Sequence, residues 1–574
     1  MYSFREIQKA KKKEVLGKNI KVAVVGNCAT QFISDAVCGY CRLTNLNVEV
    51  YDADYNQIDA QLLDSSSEVL SFNPDYIVLW IASEKIYEEF LSMTLDERAS
   101  FADTYFAKIS QYWNLIESST KARILQPNII EIDDRVLGNY SCKVEATFIY
   151  QIRKLNYLMQ EEMSKQGNVF PIDILSIQQR IGRDKFFNQT LYYNAKMPIA
   201  MPVLPEIGKA VSDVIHATQG DIKKCVIMDL DNTIWGGVVG DDGWANIEIG
   251  ELGRGHAFTN LQLWLKELKE MGIILCVCSK NDEDKAKEPF IKNQEMVLKL
   301  EDISVFVANW DDKASNIQLI RDTINIGMNS IIFLDDNPFE RNLVRQRIPE
   351  IEVPELPEDP ALYLSFLQSC NYFETASYTG KNSDRTKLYQ AEFKRRQAAA
   401  SYASIDDYLQ NLEMIGTGEA FKPEQYSRIA QLTQRSNQFN LRTIRYTEAD
   451  IQRLAEDKDY LTLSYTLKDK YGDHGLISVV ILKKTSDTGL FVDTWLMSCR
   501  VLKRGTEEFV INKMVAAAKN HGYTTIDAEY IPTPKNAMVK DIYPRMGFKE
   551  TSENHYTLNV EEYKNQKTYI QEEN

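Results

Sequence analysis

With 574 residues, 44% of them hydrophobic and 10% aromatic, the chain can build several cores and has the length of about three or four domains. A formal net charge of −16 weighs against a nucleic-acid groove or an anionic membrane surface as a partner. No apolar run approaches the about 20 residues of a membrane span, and no signal-peptide core follows the charged start. Nine scattered cysteines make no disulfide framework, so a soluble cytoplasmic protein with reduced thiols is expected.

The amino-terminal third opens with Lys21-Val22-Ala23-Val24-Val25, an apolar strand, followed by the turn Gly26-Asn27 and by Cys28 where a helix should begin. Residues 75–80, 122–126 and 169–173 supply further strands, with helices between. Cys38-Gly39-Tyr40-Cys41 has the spacing of a redox or zinc pair, but no second ligand pair follows, and a structural helix face accounts for it. This strand-turn grammar resembles the SGNH hydrolases, with Cys28 in the nucleophile's place. The first histidine of the chain is His216, so no nucleophile-His-acid triad can be completed here. Where that family has Asp-x-x-His, this chain has Asp173-Ile174-Leu175-Ser176. No independent hydrolase activity is expected of this first domain, 1–205. Cys28 is either a thiol of lowered pKa that carries an acyl group as a thioester, or a small buried residue of a docking domain.

The middle of the chain carries the densest chemistry. Cys225-Val226-Ile227-Met228 reads as a buried strand that delivers Asp229 and Asp231 to its end. Both side chains can face one ligand only where the backbone turns out of the sheet into a loop. Two like charges so placed call for a cation or a shared proton. A second apolar run, 273–278, ends in Ser279-Lys280-Asn281, and a third, 331–334, ends in Asp335-Asp336-Asn337, with Asn309-Trp310-Asp311-Asp312-Lys313 between them. Amphipathic segments at 258–271 and 316–326 complete an alternation of strand and helix, hence a parallel sheet whose ligands bind at the carboxyl ends of the strands. All four polar clusters then converge on one edge. From Asp231 to Ser279 is 48 positions and from Ser279 to Lys313 is 34, room for a helix and a loop but not for an inserted lid. The site should be open, with Trp235-Gly236-Gly237-Val238-Val239-Gly240-Asp241-Asp242-Gly243 as a short flap whose Trp235 caps the pocket. Asp241, Asp242, Asp311 and Asp312 read as loop acids.

Asp229-Leu230-Asp231-Asn232-Thr233, then Ser279, Lys313 and Asp335-Asp336, match in order the four motifs of the haloacid dehalogenase (HAD) phosphotransferases. The longer stretches 229–240, Ala308-Asn309-Trp310-Asp311-Asp312-Lys313 and 335–341 resemble the FkbH-like branch of that superfamily. The resemblance implies that Asp229 attacks phosphorus to form an aspartyl-phosphate and that Asp231 protonates the leaving group and then activates water. It implies that Ser279 and Lys313 hold phosphate oxygens, and that Asp229, Asp231, Asp335 and Asp336 serve Mg²⁺. Turn chemistry alone does not call for Ser, Lys and paired Asp in this order.

Prolines at 354, 357 and 360 mark the end of this HAD phosphatase domain, 206–375. A charged helical stretch from Asp384 through Ala400 reads as a connector, 376–418. The last domain, 419–574, mixes strands (460–468, 476–483 and a central 491–497) with helices. Immediately after its central strand, Arg500-Val501-Leu502-Lys503-Arg504-Gly505-Thr506 opens a helix whose N–H groups can cradle an anion. This resembles the acyl-CoA loop of the GNAT acyltransferases, and Asn536 through Tyr543 to Phe548 resembles their later motif. The resemblance implies that Arg500, Arg504, Gly505, Thr506 and Asn536 bind acyl-CoA or acyl-carrier phosphopantetheine, with Tyr543 protonating the thiolate. Lys503 departs from the pattern, standing where the usual loop has its first Gly; its charge offers a grip on phosphate instead. His474 is a general base or a turn histidine, and 434–440 is either an acceptor-pocket lining or helix capping.

The expected fold is therefore α/β in three domains: an SGNH-like sandwich, a HAD-type Rossmannoid parallel sheet and a GNAT-like mixed sheet. That order resembles FkbH-like proteins, and it implies a Mg²⁺-dependent phosphatase that dephosphorylates a phosphoglyceryl donor and loads glycerate onto an acyl carrier protein. A bifunctional phosphatase and acyltransferase acting on a sugar intermediate of a surface polysaccharide is the alternative, and a non-catalytic scaffold is the alternative of another class. The expected partners are a phosphorylated small molecule and an acyl carrier protein, with no nucleic acid and no membrane.

Overall fold

The computed structural model describes the chain except for residues 1, 18, 133, 378–387, 390, 392–394, 396–401, 403, 534 and 574. The connector expected from Asp384 through Ala400 lies largely outside the described residues. The chain divides into two compact units, Met1–His216 and Ala217–Asn574.

The first unit is built on five parallel strands, β1 (Ile20–Gly26), β2 (Val48–Asp52), β3 (Tyr76–Trp80), β4 (Arg123–Pro127) and β5 (Val169–Ile172), in the order β2-β1-β3-β4-β5. Every residue of β3 is buried, as an inner strand covered on both faces requires. Edge strand β2 buries only Val48 fully, which is why its sequence carries no clear strand signal. Helices α1 (Gln31–Leu43), α2 (Phe101–Ser119) and α3 (Phe148–Met163) lie among these strands, and Phe101, Trp113, Phe148 and Leu155 fill one core. Cys38 and Cys41 are both buried on α1, and all nine cysteines are free thiols.

The second unit holds two sheets. In the first, β6 (Cys225–Met228), β7 (Ile274–Ser279), β8 (Val305–Ala308) and β9 (Ile331–Leu334) are parallel, in the order β8-β7-β6-β9. Side chains alternate across it: Val226, Met228, Leu275, Val277, Ile332 and Leu334 enter one core, and Cys225, Ile227, Ile274, Cys276, Ile331 and Phe333 enter the other. That two-sided burial explains why these strands read as continuous apolar runs. The connecting helices are α4 (Gly253–Glu270), α5 (Glu283–Lys292), α6 (Lys313–Ile324) and α7 (Pro338–Arg347).

The second sheet of this unit has eight strands: β10 (Ile415–Glu419), β11 (Tyr460–Asp469), β12 (Gly472–Lys484), β13 (Gly489–Met497), β14 (Thr525–Glu529), β15 (Lys549–Ser552), β16 (His555–Asn559) and β17 (Gln571–Glu572). Their order is β15-β16-β14-β13-β12-β11-β10-β17, antiparallel except for β13·β14 and β10·β17. Helices α8 (Tyr426–Arg435) and α9 (Thr506–Asn520) flank it. Strands β13 and β14 pair only at Gly489–Phe491 with Thr525–Asp527 and then part. Residues 439–441 fill the split: Leu441 N–H donates to Trp495 O at 3.3 Å, Met497 N–H to Phe439 O at 3.1 Å, and Ile531 N–H to Leu441 O at 2.9 Å. Among the described residues no helix is long and apolar enough to cross a membrane.

Candidate functional site

Strands β6 and β9 are neighbours, and the backbone N–H of Asp229 still donates to Leu334 O at 2.9 Å, so the pair stays in register to its last residue. Asp229 and Asp335 therefore leave the sheet side by side at its carboxyl edge. Lys313, the first residue of α6, reaches both: its Nζ lies 2.7 Å from Asp229 Oδ2 and 2.5 Å from Asp335 Oδ2. Asp229 is 8% exposed, Lys313 3% and Asp335 0%. Burial, followed by the charge of Asp229, pushes the Asp335 carboxyl up to about 7. The same two causes raise Asp336. Burial works against the ammonium of Lys313, yet the carboxylates of Asp229 and Asp335 hold it above its ordinary range.

Carboxylate oxygens of Asp229, Asp335 and Asp336 lie within 4.8 Å of one another. Three carboxylates against one ammonium leave two formal negative charges in a mostly buried site, and the raised carboxyls record that excess. A hard divalent cation held by three carboxylate oxygens would balance it, so these residues fit Mg²⁺. Asp231 is not in that cluster. Its Oδ1 accepts from Trp235 Nε1 at 2.9 Å and from Val239 N–H at 3.0 Å, and its Oδ2 accepts from Asn281 Nδ2 at 3.1 Å. Burial outweighs these donors and, with the charges of Asp229 and Asp336, raises the Asp231 carboxyl. A carboxyl so held is placed to carry a proton, and the expected part of its side chain as a metal ligand is corrected on that ground.

Ser279 closes β7, is 2% exposed, and stands on the strand adjoining β6 at the same edge. The flap differs from the expectation. Trp235 is fully buried and packs edge-on against Phe290, so it anchors the loop in the core and cannot cap a pocket. The exposed indole is Trp310, at 72%. Beyond Trp235 the chain turns back through Gly237, whose φ of +90° only glycine adopts freely and whose N–H donates to Asn232 Oδ1 at 3.0 Å.

Three supporting residues carry roles that sequence reasoning does not assign. Asn281 holds Asp231, as above. Thr233 receives the N–H of Asp336 at 3.1 Å. Arg341 is buried, and its Nη1 donates to the carbonyls of Asp335 at 2.9 Å and Asp336 at 2.6 Å. Its Nε and Nη2 meet Glu355 Oε2 at 3.1 and 2.9 Å. The one available signal is positional: Arg341 lies one turn into α7, whose first residue, Pro338, fixes where that helix starts.

The residues proposed for acyl-CoA do not form an open cradle. The αL conformation of Lys503 (φ +63°) and Gly505 (φ +78°) turns the chain into α9, but the N–H of Lys503 is taken by the buried carboxylate of Glu507 at 3.0 Å. Thr506 is buried and donates to Val501 O at 2.9 Å. Arg500 Nε meets Ser498 Oγ at 3.3 Å, and Arg504 lies 3.8 Å from Asp469. Asp469 also pairs bidentately with Arg395 and bonds His474 Nε2 at 3.1 Å, a buried network that accounts for His474 structurally. Asn536 spends its amide within the fold: Nδ2 donates to Asn440 O and Ile531 O, both at 2.9 Å, and Oδ1 accepts from Thr533 N–H at 2.7 Å. Tyr543 is fully buried between Trp495, Phe548 and Tyr556, its hydroxyl without a partner among the described residues, so it is a core residue and its expected acid role is corrected. Cys28, in the first unit, is 3% exposed; burial, then the charges of Glu84 and Asp52, pushes its thiol up. A lowered pKa is thus not what this environment gives.

Residues 21–216 match the family described as FkbH, N-terminal domain. A crystal structure of the N-terminal part of the protein BF1531 from Bacteroides fragilis, containing a phosphatase domain and complexed with Mg, shares 45% identity. It covers 66% of this chain and 100% of its own, with a TM-score of 0.63. The ribosomal-protein-S18-alanine N-acetyltransferase from Escherichia coli overlays on 25% of this chain and 94% of its own at 13% identity and a TM-score of 0.20. The spermidine/spermine N-acetyltransferase SpeG from Vibrio cholerae overlays on 26% and 95% at 14% identity and 0.21. Likenesses that slight say nothing of function. No curated protein matches the chain. With an FkbH amino-terminal domain and 45% identity along the whole of the Bacteroides fragilis structure, the chain belongs to the FkbH family.

Proposed function

We propose that the chain is a Mg²⁺-dependent phosphatase that works through an aspartyl-phosphate on Asp229. The observation that carries this is Lys313 bridging Asp229 and Asp335 beside Asp336 at the carboxyl edge of a parallel sheet. A Mg²⁺ relative of 45% identity supports the same reading. Bound to Asp229, Asp335 and Asp336, the cation would draw charge from the phosphoryl oxygens and orient the group for in-line attack. Asp229 supplies the attacking oxygen: its bond to phosphorus forms as the bond to the leaving oxygen breaks. Asp231, fixed by Trp235, Val239 and Asn281, gives its proton to that leaving oxygen and then takes one from the water that cleaves the acyl phosphate. Lys313 and Ser279 offset and position the phosphoryl oxygens.

The test is Mg²⁺-dependent hydrolysis of p-nitrophenyl phosphate, with Asp229→Asn as control and mass spectrometry of the acid-quenched enzyme. Phosphate on the peptide that holds Asp229, and loss of turnover in the variant, are expected. Equal rates for the two proteins would leave a scaffold as the better account.

The eight-stranded sheet, with β13 and β14 parting and α9 following the loop after β13, supports reading residues 419–574 as a GNAT-like acyltransferase module. Two finer readings share that basis. In one, the chain transfers a glyceryl group from a phosphoglyceryl donor to an acyl carrier protein, which a mass shift of the carrier would report. In the other, it acts on a small phosphorylated sugar intermediate, and turnover with acetyl-CoA in the absence of any carrier would report that.

A further inference from the structure

Opposite the phosphatase site, at the amino edge of the same parallel sheet, lies a cavity of about 300 Å³. Lys224 and Ser330, the residues just before β6 and β9, line it on one side, and residues from α8 through Phe439 and the end of β13 line it on the other. Lys224 and Asp229 are five steps apart along extended chain, about 16 Å at roughly 3.3 Å per residue, so the two sites are distinct.

The lining is charged in one sense only. Lys224, Arg321, Arg428, Arg435, Arg500 and Lys535 contribute to it, and among the described residues no aspartate or glutamate lines it, in a chain whose net charge is −16. Lys535 also pairs with Asp221 at 2.8 Å and Arg321 with Asp322 at 2.5 Å, both acids outside the lining. Lys224 Nζ bonds the carbonyl of Arg435 at 2.6 Å. Among the described residues no carboxylate pairs with Lys224 or with Arg500. An ammonium enclosed without a counter-ion is costly, and burial pushes this one down to about 7. The thiol of Cys499 acts the other way, and Arg435, Arg445 and Lys535 add to the lowering. A small cavity ringed by guanidinium forks and an ammonium has the chemistry of a phosphate site, since a dianion accepts several charge-assisted hydrogen bonds at once. The rest of the lining mixes hydroxyl- and amide-bearing side chains with apolar Ile326, Leu432, Phe439 and Met497, and Gln438 contributes a buried Oε1 with no partner among the described residues, an acceptor for a ligand hydroxyl.

We infer that this cavity binds a phosphorylated polyhydroxy small molecule, its phosphate met by the cations of Lys224 and Arg500 and its hydroxyls by the Ser436 hydroxyl and the Gln438 amide. The inference does not rest on the phosphatase reading: the site lies at the other end of the strands and needs no metal. It assigns the contact between the parallel sheet and the eight-stranded sheet a ligand of its own.

The experiment is isothermal titration calorimetry on the full chain carrying Asp229→Asn, in EDTA, with glucose 6-phosphate, fructose 6-phosphate and glycerol 3-phosphate, and with glucose, inorganic phosphate and coenzyme A as comparisons. At least one of the three phosphate esters is expected to bind below 1 mM (about −4 kcal/mol by the usual conversion), glucose not at all, and inorganic phosphate more weakly than the ester. Lys224→Met and Lys535→Gln, placed in the otherwise wild-type chain, should each leave Mg²⁺-dependent p-nitrophenyl phosphate turnover within twofold, which shows that they fold. In the Asp229→Asn chain each should weaken ester binding at least tenfold. At pH 8 binding should take up a proton, seen as a heat that changes with the buffer's ionisation enthalpy, and Lys224→Met should abolish that dependence. The inference is overturned if none of the three esters binds, if both variants bind as the parent does, or if coenzyme A binds tightly where the esters do not.

Discussion

Asn281 donates its side-chain amide to Asp231 Oδ2 at 3.1 Å, on the opposite side of the carboxyl from the bonds that Trp235 and Val239 make to Oδ1. Asp231, the proposed proton-transfer residue, is thus held at both oxygens. Asn281→Ala frees one of them. Loss of a hydrogen bond to a charged group is worth about 1.5–3 kcal/mol, so kcat should fall by roughly ten- to a hundredfold with KM little changed. An unchanged kcat in a steady-state phosphatase assay would remove Asn281 from the positioning of Asp231.

The carboxyl cluster predicts how Mg²⁺ binding follows pH. A cation binds the ionised carboxylates, and Asp335, pushed up to about 7, and Asp336, also raised, retain protons that an ordinary aspartate has lost. Mg²⁺ must displace those protons, so its apparent affinity should rise from pH 5 to pH 7.5 and level off above. The stability of the metal-free protein runs the other way. A carboxyl whose folded pKa is raised binds more protons folded than unfolded, so stability falls as pH rises from about 4, the ordinary aspartate value, through about 7. Thermal melts in EDTA across that window should show Tm dropping with pH, and saturating Mg²⁺ should cancel most of the drop. A flat profile in EDTA would refute the buried excess of negative charge.

Lys313 is the cation that this cluster already owns. Lys313→Met leaves Asp229, Asp335 and Asp336 facing one another with nothing positive among them, and breaking a buried pair at one partner costs about 3–5 kcal/mol. Denaturant unfolding in EDTA should register a loss of that order, smaller when Mg²⁺ is present. Phosphatase turnover should fall at least a thousandfold even at saturating Mg²⁺, because the contact proposed for Lys313 to the phosphoryl oxygens would be lost as well.

Much of this was legible in the sequence because the parallel strands are covered on both faces. Cys225–Met228 and Ile331–Leu334 appear as unbroken apolar runs, and each stops at the residue where an aspartate begins the loop. Their end points and the rule that ligands gather at carboxyl ends place Asp229, Ser279, Lys313 and Asp335 together without coordinates. What the runs do not reveal is tertiary in origin. Trp235 follows the glycine-rich pattern of a surface flap, yet it is drawn inward because its indole N–H satisfies Asp231 and its ring packs on Phe290. Tyr543 and Asn536 sit in a motif that reads as catalytic, and only the packing around Trp495 and the bonds to residues 440 and 531 show them bound up in the fold. The basic cavity is assembled from residues more than 300 positions apart, from Lys224 to Lys535, and no local pattern could announce it.

Arg341 supports the carboxylate cluster through the cluster's backbone, without touching a carboxylate of it. Its Nη1 bonds the backbone carbonyls of Asp335 and Asp336, and Glu355 steadies the rest of the guanidinium. Residues that orient a ligand shell usually matter by ten- to a hundredfold in metal affinity. Arg341→Lys keeps the charge but loses the fork, so it should raise the Mg²⁺ concentration at half-maximal activity by about tenfold. If Arg341 acted only by its charge, the lysine variant would match the wild type.

Tyr543 separates packing from acid catalysis in the carboxyl-terminal sheet. Its hydroxyl is fully buried and meets no partner among the described residues, and its ring lies in contact with Trp495, Phe548 and Tyr556. Burial raises its pKa further from any working range. An unpaired buried hydroxyl costs about 1–3 kcal/mol relative to its hydrated state, whereas the phenyl ring alone fits the same aromatic contacts. Tyr543→Phe should therefore leave stability unchanged or raise it by about 1 kcal/mol, with Tm moving upward, and any acyl transfer the module performs should continue at the wild-type rate. Tyr543→Ala, by contrast, opens a cavity and should cost about 3–5 kcal/mol. A phenylalanine variant that is as stable as the parent but loses acyl transfer would show that the hydroxyl reaches substrate after all, through a rearrangement of the β13–β14 split.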